Sequence, residues 1–421
     1  MSAMPFQTVK IERVAAHTGV LPAYPSEHLL FTVRNGSGKL RMVWYQYGDH
    51  GESRSALLLG DTPLLQIQSS GCPTCESLLA AGYGLPGDSA QLRAARAALD
   101  RPYAGLEEAL ERLRPLLGLL PSGAYVLSHS LYYPTDGDGR FFWDVPSDLS
   151  PCRATAEYYD TQQYTTLPCF PCFLYPTQGA DKYDPRRTGH YRRMLQGGET
   201  PAPALAYALW GYVSVLLDGH HRACACALEG ARLPCLTISR PICFRREGVP
   251  HILWPDGSGA TVDKLLPPAR RALLTRPIGE PLPGPVPEPG PAVRFQRRWE
   301  TDYLQAARRY PTCYDAGALA LYPGVALNAE GIRRLAVDGD LSSAARLLRY
   351  AARQPGVDTK SLGMAFLGRD CPAELRQAAF ELLDQIKDDP EIDALMIRVL
   401  VDCERRDDPI YRIADNHWAA P

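Results

Sequence analysis

The sequence predicts a multidomain α+β protein, and three observations along its 421 residues lead to that class. The N-terminal region alternates apolar and polar side chains in short runs, as half-buried strands do. The middle of the chain, Val213 to Ile238, predicts a strand, a turn, a helix and a second strand. The C-terminal region places apolar residues at i, i+3 and i+4, the spacing of amphipathic helices. We therefore expect four segments: a β-rich domain with a helical insertion (1–150), an αβ domain (151–276), a proline-rich linker (277–299) and a helical, repeat-like domain (300–421).

Composition limits the classes of partner. The net charge is −2 and the isoelectric point is near 6.5, so the whole chain lacks the basic character of nucleic-acid-binding proteins. Its one local basic stretch, Arg186–Arg193, predicts a basic patch or a solvated helix face, and the second interpretation is preferred. No apolar run reaches the roughly 20 residues that cross a membrane, and the N-terminus lacks the apolar core of a signal peptide. We expect a cytoplasmic protein with reduced cysteines and without a membrane or nucleic-acid partner.

The N-terminal domain is expected to contain two hairpins and two helical stretches. Asn35-Gly36 lies between two alternating runs and predicts the first hairpin turn. The run TPLLQIQ (62–68) predicts a strand that leads through a Cys-Pro-Thr-Cys segment into a helix. Residues 89–118 have helical periodicity with a break near Pro102. The second hairpin is expected around Asp136–Gly139.

Two Cys-x-x-Cys pairs, one in the N-terminal domain and one at the start of the αβ domain, predict a metal site. Each pair offers two thiolates at the spacing that suits tetrahedral zinc, so the four cysteines together predict a structural zinc site: Cys72, Cys75, Cys169 and Cys172. The first pair also has the strand–CPTC–helix order of a thioredoxin-like redox site. Buried, inert thiols are the third interpretation.

The central DGHHR segment, Asp218 to Arg222, predicts a binding turn. An apolar strand, Tyr212–Leu217, ends at Asp218-Gly219, and a helix over Ala223–Glu229 follows, with Gly230 just past its end. A turn between a strand and a helix points the backbone N–H groups and the positive end of the helix dipole at whatever lies above it. A glycine in the turn lets the backbone approach a ligand closely.

The side chains of this segment allow two interpretations. In the first, Arg222 presents a guanidinium fork to phosphate oxygens, while His220 and His221 donate to phosphate or act as acid and base. In the second, Asp218 caps the helix, one histidine is buried and hydrogen-bonded, and Arg222 pairs with a carboxylate. Sequence spacing alone leaves both open, because strand–glycine–helix patterns are common.

The same residues resemble a known family. DGHHR followed by a small-residue helix, Gly230 and an apolar strand is similar to the ParB/sulfiredoxin superfamily, in particular its free-serine-kinase-like branch. The upstream run FLYPTQ (173–178) resembles the opening strand and turn of that family, and Tyr191–Leu195 lies where its intervening helix falls. The resemblance covers about residues 165–245. The chain has His220 where the sulfiredoxin branch has cysteine and the ParB branch has glutamate.

This resemblance implies a small αβ fold that binds a nucleotide, with its phosphates on the DGHHR turn. Carried over by position, the phosphate contacts would come from Gly219, His220, His221 and Arg222, and the nucleotide-binding site would also include Asp218, Thr177 and Gln178. A kinase-like member would use ATP or another nucleotide with Mg²⁺ and a carboxylate that takes the hydroxyl proton. We prefer Asp181 for that carboxylate, with His220 and His221 as catalytic partners; the other candidates are Asp184, Glu157 and Glu199.

Three functions follow as hypotheses. The first is a nucleotide-binding protein of the ParB/sulfiredoxin type that acts as a Mg²⁺-dependent phosphotransferase or nucleotide hydrolase. The second is a noncatalytic adaptor with a zinc-stabilised N-terminal region, whose helical domain binds a protein partner. The third, a DNA-associated ParB-like protein, is disfavoured by the net charge and by the lack of a recognisable helix-turn-helix.

Overall fold

The computed structural model describes residues 8–19, 27–47, 52–69, 77–81, 94, 97, 103–135, 137, 173–179, 182–209, 213–255, 258–274, 279–286, 306–322, 324–338, 340–368 and 370–419. The chain divides into two compact units, Met1–Cys313 and Tyr314–Pro421. Described strands occur only in the first unit, and the second consists of helices, which confirms a mixed α+β protein with more than one unit. Within the described ranges, every helix is too short or too polar to cross a membrane.

Fifteen strands are described, all within the first unit. They are β1 (Lys10–Thr18), β2 (Glu27–Arg34), β3 (Leu40–Tyr47), β4 (Glu52–Leu59), β5 (Thr62–Ser69), β6 (Ser77–Ala81), β7 (Gly123–Tyr132), β8 (Phe173–Pro176), β9 (Ala204–Ala208), β10 (Val213–Asp218), β11 (Leu233–Ser239), β12 (Ile242–Arg246), β13 (Val249–Leu253), β14 (Gly259–Thr261) and β15 (Gly279–Pro281).

The strands form three sheets. The largest has seven strands in the order β1-β2-β7-β11-β9-β10-β8, the second has five in the order β15-β3-β4-β5-β6, and the third is β12-β13-β14. In the largest sheet β10 runs parallel to β8, and β11 runs parallel to β9. This sheet takes strands from both sides of residue 150, so the predicted boundary between the first two domains does not coincide with a boundary of the sheet.

Twelve helices are described. Those of the first unit are α1 (Leu106–Leu117), α2 (Pro185–Gln196), α3 (His220–Leu228), α4 (Val262–Leu265) and α5 (Pro268–Arg271). The helix α6 (Cys313–Leu321) begins at the division between the units. The helical unit continues with α7 (Ala329–Val337), α8 (Leu341–Ala352), α9 (Thr359–Met364), α10 (Ala373–Asp384), α11 (Pro390–Asp402) and α12 (Pro409–Asn416).

Two predicted elements of the N-terminal region are wrong. Asn35-Gly36 does not close a hairpin, because β2 and β3 belong to different sheets. The backbone there bonds to the segment after α1 instead: the Ser37 N–H donates to the Gly118 carbonyl (2.8 Å). The helix expected after the Cys-Pro-Thr-Cys segment is the strand β6, which pairs antiparallel with β5. A five-residue apolar run beside an open sheet edge gains more from pairing than from its helical propensity.

Other predictions fall partly within the described residues. Of the helical stretch predicted over 89–118, the part after Pro102 is present as α1, and the part before it lies mostly outside the described residues. Part of the predicted linker is extended, because β15 pairs with β3 and the Leu282 N–H donates to the Trp44 carbonyl (2.9 Å). The predicted hairpin around Asp136–Gly139 lies mostly outside the described residues.

The helix α3 packs tightly against the seven-stranded sheet. Its small side chains Ala223, Cys224, Cys226 and Ala227 are all fully buried in one core with strand residues such as Leu174 and Leu216. Alanine and cysteine let a helix approach a sheet closely, which explains the Ala/Cys-rich composition of this helix. The helix therefore has a fixed position, and so has the turn that precedes it.

Candidate functional site

The turn between β10 and α3 requires a glycine. Gly219 has φ 103°, a backbone conformation that L side chains rarely adopt. A Cβ atom at this position would lie 2.5 Å from the Cβ of Ala204 on the neighbouring strand β9. Both the conformation and the space therefore exclude a side chain, and the backbone of the turn lies directly against the sheet.

Arg222 holds this turn to the segment that leads into β9. Its side chain is 4% exposed. One terminal nitrogen donates to the carbonyls of Ala202 (2.7 Å) and Pro203 (2.9 Å), and the other to the Asp218 carboxylate (2.5 Å). The guanidinium also lies over the Tyr191 ring, 6.0 Å from its centroid. Three of its five N–H donors are thus used within the protein, which makes Arg222 first of all a structural clamp.

His220 joins the start of α3 to the end of β8. Its Nε2 accepts from the backbone N–H groups of Thr177 (3.2 Å) and Gln178 (3.3 Å). An imidazole nitrogen that accepts carries no proton, so the ring is held with its proton on Nδ1. Thr177 is fully buried, and its hydroxyl donates to the Leu216 carbonyl (2.6 Å). The predicted nucleotide contact Thr177 is therefore buried just past the end of β8, where it is bonded to β10.

His221 joins α3 to the start of α2. Its Nε2 accepts from the Asp184 N–H (2.9 Å), and its ring stacks on Tyr183 with a centroid distance of 6.1 Å. Burial, together with the positive charge of Arg187, lowers the pKa of His221 from 6.5 to about 4. The imidazole is therefore neutral at pH 7.

A small cavity of about 60 Å³ opens above the turn. Its lining combines the DGHHR segment with residues of β8 and α2: Gln178, Arg187, Tyr191, Asp218, Gly219, His220, His221 and Arg222. Every residue of the DGHHR segment lines this cavity, and Gln178 does so as well. That these residues bind a nucleotide stays a prediction. The volume suits one phosphate-sized anion and falls short of the roughly 300 Å³ or more of pockets that enclose a whole organic ligand.

Two residues of the cavity were missed in the sequence. Arg187 and Tyr191 lie four residues apart on α2, so they share the face of the helix that is turned towards α3. Their spacing was visible in the basic stretch Arg186–Arg193. Which face of that helix meets the turn is decided by its packing against α3, and sequence spacing does not contain that information.

The electrostatics of the cavity favour an anion. Arg187 is exposed, and no ion pair or hydrogen bond of its side chain is found among the described residues. Within the same part of the chain, no side chain caps the N-terminus of α3, whose N-cap residue is Gly219. The single carboxylate in the lining, Asp218, is neutralised by Arg222. A cation, a positive helix end and a compensated carboxylate together give the cavity a positive potential.

The remaining predicted site residues cannot be placed. Asp181, the preferred catalytic acid, lies outside the described residues, and so do all four cysteines of the predicted zinc site: Cys72, Cys75, Cys169 and Cys172. Of the other candidate acids, Asp184 is described as the cap of α2, where its carboxylate accepts from the Arg186 N–H (2.8 Å). The described ranges contain no group of three or more His, Cys, Asp or Glu residues that could hold a metal ion.

The chain was compared with known proteins, and no relative was found. No protein-family model matches the chain, and neither a curated protein nor a solved structure is significantly similar to it. Functional inference therefore depends on the geometry and charge of the DGHHR turn itself.

Proposed function

We propose that the protein binds a nucleotide through a phosphate group seated in the cavity above the DGHHR turn, in the manner of the ParB/sulfiredoxin superfamily. The observation that carries the proposal is the exposed Arg187 beside the uncapped N-terminus of α3, both lining one small cavity. Backbone N–H groups at a helix start and an arginine side chain are the donors that proteins commonly use for phosphate oxygens.

A chemical step, phosphotransfer to an acceptor or hydrolysis of the nucleotide, is the enzymatic extension of this proposal. Neutral His221 and His220 would then position the turn, since the Nε2 of each already accepts backbone N–H groups. The proton acceptor would be Asp181, and Mg²⁺ would arrive on the phosphates of the nucleotide and shield their charge. Arg187 would balance the remaining negative charge near the turn, because the charge of Arg222 is already paired with Asp218.

The proposal is tested with one arginine that lines the cavity and one that does not. Thermal unfolding of the full chain is measured with and without ATP, ADP, CTP and GTP in the presence of Mg²⁺, on wild type, Arg187→Gln and Arg192→Gln. Ligand at 100 times its dissociation constant stabilises the folded state by about 2.7 kcal/mol, which raises the melting temperature by several degrees. We expect that shift in wild type and Arg192→Gln, and a much smaller one in Arg187→Gln.

The control arginine is matched in charge and in helix. Arg192 lies further along α2 than Arg187 and outside the cavity lining, and it donates to Glu229 at the C-terminal end of α3 (2.6 Å). Arg222→Ala is a poorer test, because it removes the clamp on Ala202 and Pro203 and so lowers stability without any ligand. A wild-type protein whose melting temperature responds to none of the four nucleotides would contradict the proposal.

A noncatalytic adaptor is the second candidate, and a feature of the helical unit favours it. Large apolar side chains are exposed on its helices, Val337 by 85% and Val401 by 77%. Exposed apolar residues of this size are typical of protein-binding surfaces when they cluster. The absence of any nucleotide effect on wild type would favour this function over the first.

A further inference from the structure

The DGHHR cavity has room for one phosphate group, while the helix beside it carries more positive charge than one phosphate needs. Residues 182–193 contain five Lys or Arg residues and a single acidic residue, in a chain whose net charge is −2. This local excess lies at the mouth of the cavity, because α2 contributes Arg187 and Tyr191 to its lining. The excess therefore requires an explanation separate from the cavity.

The cations of α2 fall on two neighbouring faces of the helix. Arg187 and Tyr191 form the face that lines the cavity, and Arg186, His190 and Arg193 recur at i, i+4 and i+7 on the next face. All three residues of that second face, which we call the arginine row, are exposed. The row thus lies on the helix face next to the one that lines the cavity, and it is open to solvent.

The arginine row has no internal partner that would explain it. Across the described ranges, Arg192 is the one arginine of α2 with an ion pair, to Glu229 at the C-terminal end of α3. No ion pair or side-chain hydrogen bond is found there for Arg186 or Arg193. Arg186 and Arg193 lie two turns apart on the same face, so both would attract an anion that lies along the row.

We propose that the arginine row is a second anion subsite, and that the ligand is recognised by its polyphosphate chain. One phosphate occupies the cavity above Gly219, and the following phosphates lie along Arg186, His190 and Arg193. The ligand class is a nucleoside polyphosphate or a linear polyphosphate, with most of the affinity coming from the phosphates and little from the base. This inference depends on the proposed function, because it assumes that the cavity holds the first phosphate.

The inference is tested with probes that differ only in the number of phosphates. Binding of inorganic phosphate, pyrophosphate and tripolyphosphate to the full chain is measured by calorimetry at constant ionic strength, because exposed charges are screened by salt. We expect about a tenfold gain in affinity for each added phosphate, as charge-assisted hydrogen bonds provide. The double variant Arg186→Gln/Arg193→Gln should lose about tenfold on tripolyphosphate and less than about twofold on phosphate.

Two further variants separate the arginine row from the cavity and from net charge. Arg187→Gln should weaken all three probes, because it changes the cavity. Arg192→Gln removes one charge from the same helix at a residue that lines neither the cavity nor the arginine row, so it should leave the three affinities within about twofold.

Three results would overturn the inference, and they are distinguishable. If wild type bound phosphate and tripolyphosphate equally well, and Arg187→Gln weakened both, the arginine row would not be a subsite. The cavity alone would then be the phosphate site. If Arg192→Gln and the double variant lost the same affinity for tripolyphosphate per charge removed, the net charge of the helix would explain the effect and the arginine row would not. If wild type bound none of the probes and did not respond to nucleotides, the cavity would not be a phosphate site either, and the proposed function would fail with the inference.

Discussion

The helix α3 starts differently from five helices of the helical unit, although α10 of that unit also lacks a side-chain cap and α2 beside the DGHHR turn has one at Asp184. Five helices of the helical unit begin at an Asp or Asn whose side chain accepts backbone N–H groups: Asn328, Asp340, Asp358, Asp389 and Asp408. The helix α3 begins at Gly219, and no side chain caps it within the described residues. A carboxylate is nevertheless adjacent, since Asp218 precedes the glycine, and it binds Arg222 instead.

This difference concerns how the first N–H groups of each helix are satisfied. A capping side chain satisfies the first N–H groups of a helix within the protein, and the gain is stability of the helix. At α3 the sequence places an acceptor next to the turn and then occupies it with a buried guanidinium, so the positive end of the helix faces the cavity. The capped helices need no ligand at their starts, whereas the start of α3 is the place where we propose that an anion binds.

The largest expected effect follows from substituting the glycine that takes the place of a cap. Gly219→Ala should destabilise the αβ unit by about 2–5 kcal/mol, because a Cβ strains the backbone at φ 103° and collides with Ala204. Urea unfolding of the full chain, followed by hydrogen exchange in α3, measures the change. Substituting a second glycine separates the effect of the backbone strain from that of the collision with Ala204.

Gly230 supplies that matched control at the other end of α3. It also has a positive φ, 69°, but no atom lies within 4 Å of a Cβ built on it. Gly230→Ala should therefore cost only the conformational part, about 1 kcal/mol. Equal effects of the two substitutions would show that the contact between the turn and β9 contributes nothing, and the close approach of the turn to the sheet would then be wrong.

A second, smaller effect concerns the pH dependence of the turn. The folded pKa of His221, about 4, lies below its ordinary value of 6.5, so the unfolded chain takes up the proton more readily. The contribution of the neutral imidazole to the free energy of unfolding is fully present above pH 6.5. It decreases as the pH falls towards 4 and does not change further below that value. The loss should be about 1–3 kcal/mol.

His221→Gln isolates this contribution, because its amide oxygen can still accept from the Asp184 N–H and does not titrate. The stability difference between wild type and this variant should be constant above pH 7 and should decrease between pH 6.5 and 4. A difference that stays constant over the whole range would mean that His221 is not held neutral by its surroundings.

The sequence predicted the local elements of the site better than their assembly. The strand, the turn and the helix around Asp218–Arg222 follow from a buried apolar run, a glycine and a small-residue helix, all of which are local signals. The partners of β2 and β3 could not be predicted, because a strand chooses its sheet through contacts distant in sequence. Asn35-Gly36 is a strong local signal for a hairpin, but the backbone that follows it bonds to the end of α1 instead.

The same limit applies to the side chains of the site. The pairing of Arg222 with a carboxylate was one of two interpretations and is present, but its bonds to Ala202 and Pro203 join residues about 20 positions apart. The helix that carries Arg187 was expected, and its cavity-lining face was not. Local sequence thus predicts which groups are available near the turn, and tertiary packing decides which of them remain available for a ligand.

The smallest expected effect belongs to the capped helices, where no ligand role is involved. At the start of α7 the Asn328 side chain accepts from the Gly331 N–H (2.9 Å), and Asn328→Ala leaves that donor without its cap. The helical unit should lose about 1 kcal/mol, seen as faster hydrogen exchange in α7, and Asn328→Ser should recover most of it. Neither substitution should alter phosphate binding, since the helix start lies in a different unit from the DGHHR turn. If Asn328→Ala left exchange in α7 unchanged, side-chain caps would not explain the stability of these helices, and the contrast with α3 would lose its physical basis.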